Sequence, residues 1–306
     1  MPAKSIAIVG PTACGKTHRA VAVANYFNGE IISADSRQVY SGMSIGTGKD
    51  IDEYGSVKYH LIDVARAGDK YNLHRYLKDF RIAYDDILSR GKMPVICGGS
   101  GMYVENALSG ISLPDVPENK ELRAKLEKLS LGTLAKMLAS MKRLHNVTDI
   151  DTVKRAVRAL EIEYYYREHP EEAAKAETAN VEPLDALIVG VDIPREKRRE
   201  CISARLAHRL ENGMLEEVRS LLDSGLSPED LIYYGLEYKY LTMHITGKLS
   251  YDEMVHNLEI AIHQFAKRQM TWFRGMESRG YHINWIPFDI PDGQFVAKIS
   301  DLLRTQ

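Results

Sequence analysis

Residues 5–17 read Ser5-Ile6-Ala7-Ile8-Val9-Gly10-Pro11-Thr12-Ala13-Cys14-Gly15-Lys16-Thr17. The apolar run predicts a buried strand, and the G-x-x-x-x-G-K-T that follows it leads into a helical pattern. Such a loop curls backbone N–H groups around phosphate oxygens at the positive end of a helix. Lys16 adds charge, and the Thr17 hydroxyl can ligate Mg²⁺. Gly10, Pro11, Thr12, Ala13, Cys14, Gly15, Lys16 and Thr17 are therefore the expected polyphosphate contacts, with Cys14 a spacer and not a nucleophile. The loop does not say which polyphosphate it holds. Two apolar runs end in an aspartate that could carry a metal, at Asp63 and Asp192, but both are short and read as strand ends.

Working outward, further strands are expected at residues 30–33, 60–64 and 93–97, with a helix capped by Asn72 and stopped at Gly91 between the last two. From Pro114 the pattern turns helical without strands. A return to the sheet is expected at 184–192, then helices at about 196–224, 228–245 and 250–274, a strand at 281–286 and a last helix. The expected fold is α/β: a P-loop NTPase-like parallel-sheet core, residues 1–113 and 184–306, with an inserted all-helical domain at 114–183.

The chain has 306 residues, 44% of them hydrophobic and 27% charged, which describes a globular protein and excludes collagen, low-complexity disorder and a membrane bundle. A formal charge of −2 removes any global field drawing in nucleic acid, so such binding must be local. Three cysteines without a C-x-x-C pair support neither a disulfide framework nor a zinc site. With no signal-peptide pattern and no spanning segment, a cytoplasmic location is expected, and a monomer is the default.

Two more blocks reach the carboxyl edge of the sheet, where open α/β sheets place ligands. Asp35 follows the second strand in Ser33-Ala34-Asp35-Ser36-Arg37-Gln38-Val39-Tyr40, as a helix cap or as a functional carboxylate. Gly98-Gly99-Ser100-Gly101-Met102-Tyr103 follows another strand and offers the Ser100 hydroxyl.

Together with Gly42-Met43-Ser44-Ile45-Gly46-Thr47, His60-Leu61-Ile62-Asp63, Arg158-Ala159-Leu160-Glu161 and Ala266-Lys267-Arg268-Gln269-Met270-Thr271-Trp272-Phe273-Arg274, these blocks resemble the ordered signature of tRNA dimethylallyltransferases nearly end to end. The resemblance implies transfer of a dimethylallyl group from dimethylallyl diphosphate to N6 of adenosine 37 beside the tRNA anticodon. The loop would then hold a prenyl diphosphate, which needs no phosphoanhydride cleavage. By the same resemblance Asp35 is the general base, Lys16 and Thr17 stabilise the diphosphate with Mg²⁺ at Thr17, Ser100 keeps a hydroxyl where threonine is usual, and Arg205 contacts the diphosphate. Asp35, Ser36, Arg37, Gln38 and Ser100 would meet the flipped nucleotide. The helical insertion would clamp the anticodon stem through Arg123, Asp151, Thr152, Val153, Lys154 and Arg155, on a locally basic surface.

The chain departs from the usual pattern at Gly48 and Asp50, where Gly-Thr-Ala-Lys-Pro is common, at Cys201 in place of an arginine, and at His263 where a Thr-Arg pair is usual. Trp272 is expected in the core more than as a stacking platform. The alternatives are a prenyltransferase acting on free adenine nucleotide, a P-loop small-molecule kinase, and a non-catalytic RNA binder. The intact Lys16, Thr17 and Asp35 argue against the last.

Overall fold

The computed structural model describes residues 4–111, 113–141, 150–178 and 182–305. The chain forms two compact units, residues 1–109 with 183–306, and residues 110–182. The first contains strands β1 (Ser5–Val9), β2 (Gly29–Ser33), β3 (Tyr40–Ser41), β4 (Tyr59–His60), β5 (Ala65–Arg66), β6 (Met93–Gly98), β7 (Ala186–Asp192) and β8 (Ile283–Pro287). Its helices before the second unit are α1 (Lys16–Tyr26), α2 (Leu73–Ser89) and α3 (Gly101–Ser109). The second unit holds α4 (Lys120–Leu126), α5 (Leu131–Met141), α6 (Val153–Glu168) and α7 (Pro170–Thr178). The first unit resumes with α8 (Arg195–Glu211), α9 (Met214–Asp223), α10 (Pro228–Tyr233), α11 (Leu236–Ile245), α12 (Tyr251–Ser278) and α13 (Asp292–Thr305).

The main sheet runs β4-β2-β6-β1-β7-β8, every pairing parallel. All of β1 is buried, as a strand covered on both faces must be. Its side chains alternate between two cores. Ile6 and Ile8 pack with Val23, Phe295 and Ile299 from α1 and α13, and Ala7 and Val9 with Tyr76, Phe80, Tyr103 and Phe273 from α2, α3 and α12.

Local chemistry sets the helix ends. Asn72 accepts the Arg75 N–H at 2.9 Å and starts α2. Ser250 and Glu253 form a reciprocal capping box at α12. In the second unit Leu134, Leu138, Val157 and Leu160 make a small core between α5 and α6. There Glu161 is buried and accepts from the Asn119 N–H at 2.6 Å and from Arg123 at 2.9 and 2.8 Å, and pairs with Arg158.

The structure corrects several expected elements. The strand expected at 60–64 stops at His60, because Leu61 and Asp63 adopt left-handed backbone (φ 62° and 57°) and turn the chain. The single helices expected at 196–224 and 228–245 are each two, broken where Gly213 (φ 93°) and Gly235 (φ 132°) take conformations a helix cannot contain. The acidic stretch after His169 forms α7. Residues 142–149, part of the stretch expected to be helical from Pro114, lie outside the described residues.

Candidate active site

Because the strands are parallel, the loops after β1, β2 and β6 all emerge at one edge, and neighbouring positions in the sheet bring them together. They line a cavity of about 810 Å³ in the first unit, to which α8, α11 and α12 also contribute. Thr12, Ala13, Gly15, Lys16, Thr17, Asp35, Ser100 and Arg205, expected from the sequence to act together, all line it.

The loop after β1 turns through left-handed backbone at Ala13 (φ 62°) and Gly15 (φ 77°) and delivers Lys16 and Thr17 as the first residues of α1. Lys16 Nζ donates to the Pro11 carbonyl at 3.5 Å, and Arg205 reaches from α8 to the Thr12 hydroxyl. Neither cation has a carboxylate within 4 Å among the described residues, so both face the cavity with neutral partners. Burial first, and then the Arg209 guanidinium, push Arg205 down to about 10, which leaves it charged at neutral pH. Cys14 is buried, and burial pushes its thiol up, so the loop cysteine stays protonated.

Asp35 stands just past β2, half-buried, with one carboxylate oxygen accepting the Arg37 N–H at 2.9 Å. This turn holds the carboxylate in place and leaves its other oxygen without a protein hydrogen bond among the described residues. Ser100 accepts the Ser36 N–H at 3.1 Å and so ties the β6 loop to the segment bearing Asp35. Glu237, at the start of α11, also lines the cavity, and burial pushes its carboxyl up.

Three residues that hold the site together have contacts the sequence did not reveal. Gln269, on α12 and buried, accepts the Thr12 N–H at 2.8 Å and donates to the Gly99 carbonyl at 2.9 Å, bridging the loops after β1 and β6. Glu217 accepts three consecutive backbone N–H groups, of Ser44, Ile45 and Gly46, at 2.7, 2.8 and 3.0 Å, and the Tyr238 hydroxyl at 2.6 Å. Arg209 pairs with Asp50 at 3.0 Å.

Other expectations are redirected. Gln38 lines the cavity, but its amide is used internally, accepting from Ser33 at 2.9 Å and donating to the Gly48 carbonyl at 3.0 Å. Arg123 pairs with Glu161 at 2.8 Å and with Glu118 at 3.0 Å, within the second unit. Asp63 pairs with the fully buried Lys49 at 2.5 Å, just past the short strand β4. Trp272 is 39% exposed at the cavity rim, not in the core, its indole N–H bonded to Glu105 at 2.8 Å. Arg37 also lines the cavity, its guanidinium over the exposed Tyr233 ring at 5.7 Å. In the second unit Asp151, Thr152, Lys154 and Arg155 are exposed and Val153 half-buried; Thr152 caps α6, and Arg155 pairs with Asp151.

The family profile described as IPP transferase matches residues 38–276, and that described as isopentenyl transferase matches residues 3–58. The chain belongs to the IPP transferase family. A family relative from Bacteroides fragilis, tRNA dimethylallyltransferase 2, is 57% identical over 98% of this chain and 97% of its own. The solved tRNA delta(2)-isopentenylpyrophosphate transferase of Staphylococcus epidermidis is 30% identical, with TM-score 0.70 over 98% of this chain and 99% of that one. The fold also matches a eukaryotic dimethylallyltransferase acting on tRNA, with TM-score 0.82 at 23% identity over 99% of this chain and 80% of that one.

Proposed function

We propose that the protein transfers the dimethylallyl group of dimethylallyl diphosphate to N6 of adenosine 37 in tRNA, releasing diphosphate. The observation that carries this reading is the convergence of Lys16 and Arg205, neither paired with a carboxylate, on one cavity with the Asp35 carboxylate. A diphosphate supplies the missing anion. Tyr103, Leu236, Ile262 and Phe265 give the same cavity apolar surface for a five-carbon tail.

In the proposed reaction the N6 lone pair attacks C1 of the donor, the C1–O bond breaks, and its electron pair leaves on diphosphate. Asp35 takes the N6 proton, which an aromatic amine must lose to become a neutral product. Lys16, Arg205 and the loop amides stabilise the charge gathering on the leaving oxygens. Fixing both reactants in one cavity supplies the alignment.

Mg²⁺ fits this reading with Thr17 as its protein ligand. No cluster of three or more His, Cys, Asp or Glu side chains suited to a metal occurs among the described residues, so diphosphate and water would provide the remaining ligands, as Mg²⁺ commonly accepts. Bound there, the ion neutralises leaving-group charge.

The core is read as P-loop NTPase-like because its phosphate loop joins a central parallel strand to a helix. The all-helical second unit is read as an insertion that binds the anticodon stem, using the largely exposed 151–155 segment. The oligomeric state is read as monomeric by default. Among the described residues no helix is long and apolar enough to cross a membrane, in keeping with work on tRNA in the cytoplasm.

The test is incubation with labelled dimethylallyl diphosphate and either unmodified tRNA or AMP, followed by nucleoside analysis. Label at N6 of adenosine 37 is the expected result. Label on AMP alone would assign the free-nucleotide activity, and ready ATP hydrolysis without label transfer would assign a kinase. Asp35→Ala should slow single-turnover transfer by about 10²-fold or more, with tRNA affinity little changed.

A further inference from the structure

Helix α8 carries Arg205 and Arg209 four residues apart, on one face, and both line the cavity. They serve opposite walls. Arg205 reaches the phosphate loop at Thr12, whereas Arg209, only 8% exposed, holds the Asp50 carboxylate at 3.0 and 3.2 Å. Gly48 makes the room. A Cβ there would stand 2.5 Å from Arg209 Nη2, so the guanidinium fills the space that any other side chain at 48 would need.

From this socket a chain of contacts runs to the end of β2, just before Asp35. The Gly48 carbonyl accepts from Gln38, and Gln38 accepts from the Ser33 hydroxyl, two residues before Asp35. Arg205 thus grips the wall that holds the diphosphate, and Arg209 the wall that holds Asp35, from one rigid helix.

We propose that Arg209 is a positioning residue that sets the separation between Asp35 and the diphosphate loop, with Gly48 and Asp50 as its socket. Its charge is met by Asp50, so it holds the wall and does not hold the diphosphate. The proposal rests on the reading of Asp35 as base and of the Gly10 to Thr17 loop as diphosphate site. It also accounts for why Gly48 and Asp50, which depart from the pattern this chain resembles, stand together: both face the same guanidinium.

The test separates donor binding from the transfer step. Donor affinity is measured by calorimetry with dimethylallyl diphosphate and Mg²⁺, and transfer by single turnover at saturating donor on unmodified tRNA, in wild type, Arg209→Met, Arg209→Lys, Asp50→Ala, Arg205→Met and the Asp50→Ala/Arg209→Met pair. Arg209→Met should slow transfer by about 10²-fold, the scale of a 1 Å misplacement, with donor Kd within about threefold of wild type. Arg205→Met should weaken donor binding by about tenfold or more. The double variant should be no slower than Arg209→Met alone, because the two side chains act as one unit. Should Arg209→Met not fold, Arg209→Lys and Asp50→Ala carry the test, each slowing transfer without weakening donor binding.

A loss of donor affinity in Arg209→Met equal to that in Arg205→Met would make Arg209 a substrate cation and overturn the proposal. Wild-type transfer rates, or additive losses in the double variant, would overturn it too. Absence of transfer by the wild type would instead remove the parent reading.

Discussion

Replacing Gln269 with leucine removes the bridge between Thr12 and Gly99, in the loops after β1 and β6. Leucine fills nearly the same volume, so the perturbation is polar and not a cavity. The Gly99 carbonyl, in a buried residue, loses its donor at 2.9 Å, and the half-buried Thr12 N–H loses its acceptor at 2.8 Å. An orphaned buried polar group costs about 1–3 kcal/mol, so the sum is about 3 kcal/mol once the partial exposure of Thr12 is discounted. Both tryptophans, Trp272 and Trp285, belong to the first unit, so tryptophan fluorescence excited selectively at the red edge during urea unfolding reports that unit. Donor affinity should fall as well if the loop after β1, which carries Thr12, holds the diphosphate as proposed. Gln269→Glu sharpens the test. A neutral carboxyl can both accept from Thr12 and donate to Gly99, whereas a carboxylate repels the Gly99 carbonyl. Its folded-state pKa is therefore raised, and this variant should lose stability as pH rises from the ordinary carboxylate range through the raised value. A Gln269→Leu protein within about 1 kcal/mol of wild type and with unchanged donor affinity would refute the bridging argument.

Three further outcomes are expected. Glu30 is buried among Arg90, His60 and Lys92, and the Arg90 hydrogen bonds foremost hold its carboxyl well below the ordinary range. Glu30→Gln should cost about 3 kcal/mol near neutral pH in urea unfolding, and the gap should close as pH falls below the ordinary carboxylate pKa toward the folded value; a pH-independent gap would contradict the linkage. Neutralising Lys154 and Arg155 together should weaken tRNA binding and lower the slope of log K against log salt by about 1–2, and an unchanged slope would place both outside the RNA interface. Trp272→Ala should weaken tRNA binding by about 1–3 kcal/mol if a base stacks on the exposed ring, with Trp272→Phe retaining most of it and donor calorimetry unmoved; equal losses for both substrates would point to damage at the rim.

The parts of the site that could be read from the chain are those encoded by neighbours. Strand, loop and helix at Ser5–Tyr26 follow from contiguous residues, as do the Asn72 cap and the three loops at one sheet edge. What the sequence concealed is long-range. Gln269 meets Thr12 across 257 positions, and Arg209 meets Asp50 across 159. No local spacing announces such pairs. The 60–64 run misled for a different reason: Leu61 and Ile62 are buried, but left-handed backbone at Leu61 and Asp63 buries them in a turn, and Val64 is exposed. Arg123 could be read only as a basic helix residue, because its partner, the buried Glu161, lies 38 positions away.

The order of the main sheet also sets a timetable for its assembly. The central strand β1 gains one neighbour when residues 93–98 are made and the other only at residues 186–192, after the whole second unit has been synthesised. At about 5–20 residues per second that interval lasts roughly 5–20 s on the ribosome. Throughout it the apolar edge Ile6-Ala7-Ile8-Val9 has an open row of backbone donors and acceptors, a template for pairing with another chain. The strand that leads into the Gly10 to Thr17 loop is thus open to misassembly for the whole of this interval, and shortening residues 110–182 would shorten that exposure.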